Sequence, residues 1–203
     1  LELPSIPRYT AQEANIPEIT LGGLSELEFQ KQFPGWDKGN RGSAKCSVIT
    51  DPKNACHPSI VGGCKLWDAQ KASRVCNVES AGGDPYSRSG VDRCSDGYSF
   101  SFGLFQINVT AHGRPGLVYD LMPPSCKGLF TKQGSCLDRR GSVCHKWSCR
   151  MLKTDTEYKQ CVNDIADVQK YNIPIACKLY EKQKQWNPWR HTVEKVCRES
   201  LRI

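Results

Sequence analysis

The chain has 203 residues, of which 38% are hydrophobic, and a formal net charge of +7. Its length suits one domain with an extended arm, and no apolar run approaches the roughly 18 residues that a membrane span needs. The basic residues are scattered and no basic-aromatic block occurs, which argues against nucleic acid as a partner. The charge favours an anionic partner of another kind.

The twelve cysteines run from Cys46 to Cys197 without the paired CxxC blocks of a zinc domain. We therefore expect up to six disulfides, formed in an oxidising compartment, and a secreted protein. Cys144, His145 and Cys149 are interpreted within this disulfide pattern rather than as a metal site, and the sequence indicates no cofactor. The first residues do not form a signal peptide, so the sequence is interpreted as a mature, processed form.

Two regions are predicted from the distribution of cysteines. Residues 1–42 contain no cysteine and several prolines, which predicts an extended arm that wraps the domain or mediates contacts, including self-association. Residues 43–203 are predicted to form one disulfide-bonded domain. Within it, residues from about 121 to 150 carry four cysteines with little periodicity, which predicts a loop excursion constrained by disulfides.

The first predicted helix follows the glycine pair at residues 62–63 and ends at the pair at 82–83. Its apolar face has the three-to-four-residue spacing of a helix and comprises Leu66, Ala69, Ala72, Val75 and Cys76, followed by Glu79. Residues 84–101 are rich in Ser, Gly, Asp and Arg, which predicts irregular loops or hairpin turns. Residues 103–108, Gly-Leu-Phe-Gln-Ile-Asn, predict a short strand.

Further helices are predicted towards the C-terminus. One carries the apolar residues from Cys161 to Val168, and the next begins at Pro174, a residue suited to the first helical turn. Asn187 is predicted to cap a last helix, in which Trp186 and Trp189 are expected to pack in the core. The fold class is therefore α+β, mainly α, with a small β element.

One carboxylate and two amides suggest a chemistry. Glu79 is expected at a helix end, where the helix dipole disfavours a carboxylate, and packing against Phe102 or Phe105 would raise its pKa further. The amides of Gln106 and Asn108 suit N-acetyl groups and ring hydroxyls. This combination favours cleavage of a glycosidic bond, with Glu79 as the proton donor.

These residues resemble the lysozyme superfamily, in particular goose-type lysozymes and soluble lytic transglycosylases. Glu79 with the following serine, and Gly-Leu-Phe-Gln at residues 103–106, match that family's Glu-Ser and Gly-Leu-Met-Gln segments. A second match, at residues 172–180 and 186–189, resembles its Asn-Ile-x-x-Ala-x-x-Leu-Tyr and Gly-Trp-x-Pro-Trp segments. The resemblance covers residues from about 60 to 112 and 160 to 197. It implies a lysozyme-like fold, with Tyr180 near the catalytic Glu79.

The second carboxylate differs between branches of this family. Chicken-type lysozymes place an Asp where this chain has Ser101, which is retained as a substrate-contacting residue but cannot be a nucleophile, so a retaining mechanism is disfavoured. Goose-type enzymes resemble the chain at Asp92 and the following arginine. Asp92 is thus the first candidate base for inversion, Asp96 the second and Asp84 the third. Lytic transglycosylases need no base, because a hydroxyl of the substrate itself attacks.

The resemblance implies a secreted muramidase that cleaves the β-1,4 bonds of peptidoglycan, and the positive charge favours acidic wall polymers over chitin. A lytic transglycosylase or a chitinase is the alternative within the same class. A lysozyme-like protein without catalysis, acting in glycan binding or as a structural protein, is an alternative of another class, supported by the serine at position 101.

Overall fold

The computed structural model of the protein describes residues 45–198, so the predicted arm, residues 1–42, lies outside the described part. The described chain is mainly helical, with two small antiparallel sheets and six disulfides. The predicted class, α+β and mainly α, is confirmed at this level. Within residues 45–198, no helix is both long enough and apolar enough to cross a membrane.

Two helices open the described domain, α1 at Pro58–Val61 and α2 at Ala69–Glu79. Helix α2 begins there because the Asp68 carboxylate accepts a hydrogen bond from Lys71 N at 2.7 Å. The prediction for Leu66 is wrong, since it precedes α2 and is 55% exposed. The helix ends at Glu79, as predicted, and residues 81–83 then adopt positive φ angles.

The segment predicted as one strand, residues 103–108, is instead a turn and a strand. Strand β1 at Ser101–Phe102 pairs antiparallel with β2 at Ile107–Asn108, so residues 103–106 form the connection between them. Gly103 has a φ of 78°, and a Cβ atom there would lie 2.1 Å from Asn172 Nδ2. Only glycine meets both conditions. The sequence prediction failed because the apolar residues of the turn are buried, which imitates the pattern of a strand.

The predicted excursion contains regular structure as well as loops. Helix α3 at Val109–His112 and two 3₁₀ turns, at Tyr119–Leu121 and Pro124–Cys126, lead into an antiparallel hairpin of β3 at Cys136–Arg140 and β4 at Val143–Trp147. The hairpin was not predicted, because its strands are mostly exposed or half-buried and lack apolar alternation. The Cys136–Cys144 disulfide joins its strands, as expected of a disulfide-constrained segment.

The C-terminal part is helical. Helix α4 at Asp155–Ala166 begins with a capping box between Thr154 and Glu157, and one π turn at Val168–Asn172 connects it to α5 at Ile173–Lys182. Pro174 lies in the first turn of α5, as predicted. Short turns at Asn187–Trp189 and Thr192–Val196 form the last helical segment, whose cap position belongs to Trp186 rather than to the predicted Asn187.

The segments with the strongest sequence signals contact each other in the core. Phe105 N donates to Asn172 Oδ1 at 3.2 Å, and Trp189 Nε1 donates to Phe105 O at 2.8 Å. Trp186 and Trp189 are only 4% and 5% exposed and pack against Trp67. Their predicted role in the core is confirmed. These contacts attach the β1–β2 turn to the C-terminal helices.

All twelve cysteines are paired, so Cys144 and Cys149 belong to disulfides rather than to a metal site. Two of the six bonds constrain parts of the candidate site. Cys94–Cys149 ties the segment before β1 to the end of the hairpin, and Cys46–Cys197 ties the start of the described chain to its last helical turn. The others are Cys56–Cys76, Cys64–Cys177, Cys126–Cys161 and Cys136–Cys144.

The Cys94–Cys149 bond spans 55 residues and the Cys136–Cys144 bond spans 8. From loop-closure entropy, replacing the first pair by alanine is expected to lower the free energy of unfolding by about 4 kcal/mol, and replacing the second by about 2.5 kcal/mol. Urea denaturation of the two double variants measures this difference. An equal loss of unfolding free energy in the two variants would contradict this expectation, and would mean that local packing rather than chain entropy determines the contribution of each disulfide.

Candidate active site

An open cleft of about 600 Å³ lies at the end of α2. Four structural units line it: the end of α2 with the segment before β1, the β1–β2 turn, the β3–β4 hairpin, and the last helical segment. The lining side chains are Val78, Glu79, Ser89, Val91, Asp92, Gln106, Ser142, Val143, Cys144, Trp147, His191, Thr192 and Val196. The disulfide-constrained excursion, which the resemblance did not cover, therefore supplies one wall of the cleft.

Glu79 enters the cleft from the last position of α2 and is partly buried. Burial raises its pKa to about 7 from the usual value of 4.5. A hydrogen bond from Thr192 opposes this shift, while the negative charge of Asp92 acts in the same direction as burial. The Thr192 hydroxyl donates that bond to Glu79 Oε1. A large fraction of Glu79 is therefore protonated at neutral pH and able to act as a general acid.

The apolar surroundings of Glu79 differ from those predicted. Phe102 and Phe105 are at most 1% exposed and lie in the hydrophobic core, and neither lines the cleft. Among the lining residues, Val78 and Val91 come from the carboxylate-bearing segments, whereas Trp147 comes from the hairpin. Desolvation of Glu79 thus depends on the assembly of several elements rather than on one aromatic neighbour.

Asp92 is the second carboxylate of the cleft. Its Oδ2 accepts a hydrogen bond from Ser101 Oγ at 2.8 Å, and burial raises its pKa while this bond lowers it. The backbone is held as well, because Asp92 N donates to Ser89 Oγ and Asp92 O accepts from Phe100 N, both at 2.9 Å. The carboxylate is therefore fixed in position on the same cleft as Glu79.

Ser101, which was predicted to contact the substrate, does not line the cleft. It is only 1% exposed and lies in β1, where its hydroxyl is committed to Asp92. The serine at this position is a positioning residue for the neighbouring carboxylate.

Gln106 lines the cleft, as predicted for a substrate-contacting residue. Its Nε2 donates to Gly103 O at 2.9 Å and to Ser87 O at 3.3 Å, which fixes the orientation of the amide. The buried Oε1 has no hydrogen-bond partner among the described residues. The two bonds of Nε2 thus leave this shielded oxygen without a partner, which is costly.

Three other predicted site residues lie elsewhere. Asp96 accepts from Met151 N at 2.6 Å and thereby joins its loop to the end of the hairpin region. Asn108 caps α3 by accepting from Ala111 N at 3.0 Å, and Tyr180 packs against Trp67 and Trp186. None of the three lines the cleft, so the structure does not bring them together with Glu79.

The third candidate base, Asp84, is also outside the lining of the cleft. Its Oδ1 accepts from Tyr86 N at 2.9 Å, which is a local turn contact. Asp92 is therefore the one of the three candidates that lies with Glu79.

Two residues of the site were missed by sequence reasoning. Thr192 lies one turn beyond the tryptophans of the second matched segment, and its residue type gives no signal of a role. Trp147 follows the cysteines of the hairpin, whose own structure was not predicted. Only the pairing of β3 with β4 and the packing of the last helical segment bring them to Glu79.

Comparisons of the chain with protein-family models, with curated proteins and with solved structures gave no match. The site is therefore interpreted from its own geometry.

The raised pKa of Glu79 makes a prediction about stability. A carboxyl with a raised pKa stabilises the fold fully below the unfolded value of about 4.5, and that contribution is lost as the pH rises through about 7. Glu79→Gln cannot ionise, so its unfolding free energy should exceed that of the wild type by roughly 3 kcal/mol above pH 7, and the two should converge near pH 4.5. Urea denaturation across this pH range measures the difference.

The matched control is Glu181→Gln on α5. The pKa of Glu181 is lowered by Lys178 and Lys182 at the surface, so this variant should show a much smaller effect of the opposite sign. A pH-independent difference between Glu79→Gln and the wild type would mean that Glu79 is not desolvated.

Proposed function

We propose that the protein is a secreted muramidase with a lysozyme-like fold, which hydrolyses β-1,4 bonds of peptidoglycan with inversion of configuration. The observation that carries this proposal is the pair of carboxyls, Glu79 and Asp92, on one open cleft. Burial raises the pKa of both groups, that of Glu79 to about 7. Glycosidases use a pair of carboxyls of which one has a raised pKa and acts as the acid.

The core contacts support the lysozyme-like fold. The two segments that resemble this superfamily are far apart in sequence. Yet Phe105 of the first segment donates a hydrogen bond to Asn172 and accepts one from Trp189, both of the second. Segments that match by chance have no reason to meet around one backbone group. Six disulfides further suit a secreted protein, because such bonds persist in oxidising compartments.

In the proposed reaction, Glu79 donates its proton to the glycosidic oxygen as the bond to the anomeric carbon breaks. Asp92 removes a proton from a water molecule that attacks the anomeric carbon from the opposite face. Glu79 ends the cycle ionised and Asp92 ends it protonated, and exchange with solvent restores both. Thr192 orients the acid and Ser101 orients the base.

The walls of the cleft suit an amino-sugar polymer. Val143 and Val196 are 40% and 42% exposed and offer apolar surface to the faces of sugar rings. Gln106 is the one amide among the lining residues, and an amide suits the N-acetyl group of an amino sugar. The net charge of +7 favours an acidic polymer such as peptidoglycan over neutral chitin.

A lytic transglycosylase would need only Glu79. The hydrogen bonds that hold Asp92 favour hydrolysis, because a reaction without a base has no use for a second carboxylate fixed on the cleft.

We expect Glu79→Gln and Asp92→Asn each to lower kcat on peptidoglycan by at least about 100-fold, since general acid–base groups contribute that much or more. Mass spectrometry of the products should find reducing ends, and NMR should detect the α-anomer first. Anhydromuramyl ends with an active Asp92→Asn variant would indicate a transglycosylase. Unchanged lysis by Glu79→Gln would refute the catalytic role, and binding without any cleavage by the wild type would indicate a glycan-binding protein.

Ser101→Ala tests the positioning of the base. Loss of its hydrogen bond removes an interaction that lowers the pKa of Asp92, so the acidic limb of the pH–kcat profile should move to higher pH. We also expect kcat to fall about tenfold with little change in KM, because the base is displaced rather than removed. Ser99→Ala is the matched control, a buried serine of the same segment that does not contact the Asp92 carboxylate. A change in KM alone would contradict this role.

A further inference from the structure

A second cavity of about 420 Å³ lies against two of the segments that line the cleft, the segment before β1 and the β3–β4 hairpin. Four of its lining side chains are basic: Arg93, Arg140, His145 and Lys146. The proposed chemistry of Glu79 and Asp92 uses none of them. We call this group of residues the basic cavity.

The basic cavity and the cleft share their walls. Asp92 lines the cleft, while the next residue, Arg93, lines the basic cavity. On β4, Cys144 likewise lines the cleft and the next residue, His145, lines the basic cavity. Adjacent residues of extended chain point to opposite sides. A ligand group in the basic cavity would therefore lie one strand away from the reacting carboxyls.

The shared wall is firmly held. Arg93 O accepts from Trp147 N at 2.8 Å, and Arg93 forms an antiparallel bridge with Ser99. The next residue, Cys94, is bonded to Cys149. The backbone that carries Arg93 is thus fixed on both sides, which preorganises the cavity for a ligand.

The charge of the basic cavity is not balanced by its own acids. Among the described lining residues, Asp138 is the single carboxylate, and it already pairs with Arg140 at 3.3 Å. Arg93 and Lys146 add two positive charges, and the half-buried imidazole of His145 adds a further N–H donor. Guanidinium, ammonium and imidazole groups together are suited to the oxygens of a carboxylate or phosphate.

We infer that the basic cavity binds an oxyanion, a carboxylate or a phosphate, carried by the polymer whose sugar chain occupies the cleft. The inference rests on the proposed function for the identity of that polymer. The cleft then recognises the sugar backbone and the basic cavity recognises its acidic substituent.

Two histidines allow the two sites to be observed separately. His145 lines the basic cavity and His191 lines the cleft, while the chain's other histidines, His57 and His112, line neither. In Glu79→Gln protein at constant pH and ionic strength, acetate and inorganic phosphate should shift the ring signals of His145. A neutral N-acetylglucosamine oligomer should shift those of His191. The spectra are assigned with His145→Gln and His191→Gln.

Affinity is tested with Glu79→Gln protein and insoluble wall polymers in a sedimentation assay. Adding Arg140→Gln and Lys146→Gln should weaken binding to peptidoglycan about tenfold, since each exposed ion pair contributes modestly, and should leave binding to chitin unchanged. Lys53→Gln with Lys65→Gln is the matched control, which removes the same charge from exposed residues outside both cavities. A loss confined to walls with free peptide carboxylates identifies the carboxylate as the ligand. A loss confined to walls with attached phosphate polymers identifies the phosphate.

The inference is overturned if neither anion shifts His145, or if the control pair weakens binding as much as the cavity pair. Failure of the proposed function gives a different result. In that case the neutral oligomer leaves His191 unshifted and the wild type cleaves no wall polymer, whatever happens at His145.

Discussion

The candidate site depends on the way in which one residue of the β1–β2 turn is held. Both backbone polar groups of Phe105 are bonded to side chains of the C-terminal helices, its N–H to Asn172 and its carbonyl to Trp189. A buried backbone group without a partner is costly, so the turn and these helices stabilise one arrangement. The same arrangement brings Thr192 to Glu79 and closes one side of the cleft. Core packing distant from Glu79 therefore sets the hydrogen-bond partner of its carboxyl group.

The disulfide-bonded hairpin has a role that its sequence does not suggest. Trp147 lies in the wall of the cleft. Its backbone N–H donates a hydrogen bond to Arg93 O, next to the candidate base Asp92. The hairpin thus forms one wall of the cleft that Glu79 lines and also fixes the segment that carries Asp92. A strand pair with mostly exposed side chains has little core of its own, which explains why two disulfides constrain it, Cys136–Cys144 within the hairpin and Cys94–Cys149 at its base.

The sequence predicted the end of α2 and singled out Glu79 and Asp92, which the structure places on one cleft. These predictions depend on local signals: a glycine break, a cap and a short motif. It did not predict the partners of these groups. The sequence suggests that the amide of Asn108 binds a ligand. Asn108 directly precedes α3, however, and its side chain caps that helix. Tyr180 was predicted to lie near Glu79, but in the structure its ring packs against Trp67. In each case a contact distant in sequence, or competition with a local backbone bond, decided the outcome.

Two glycines illustrate how differently parts of the site tolerate change. Gly103 is required both by its positive φ and by the atoms of Asn172 next to its Cα, so the turn that it begins has no room for another residue. Gly141, at the tip of the β3–β4 hairpin, also has a positive φ but has no atom within 4 Å of where a Cβ would lie. Residues inserted at this tip would project beyond the core, next to Ser142 and Val143 at the edge of the cleft. The extent of the cleft can therefore be altered at the hairpin tip while Glu79 and Asp92 stay in place.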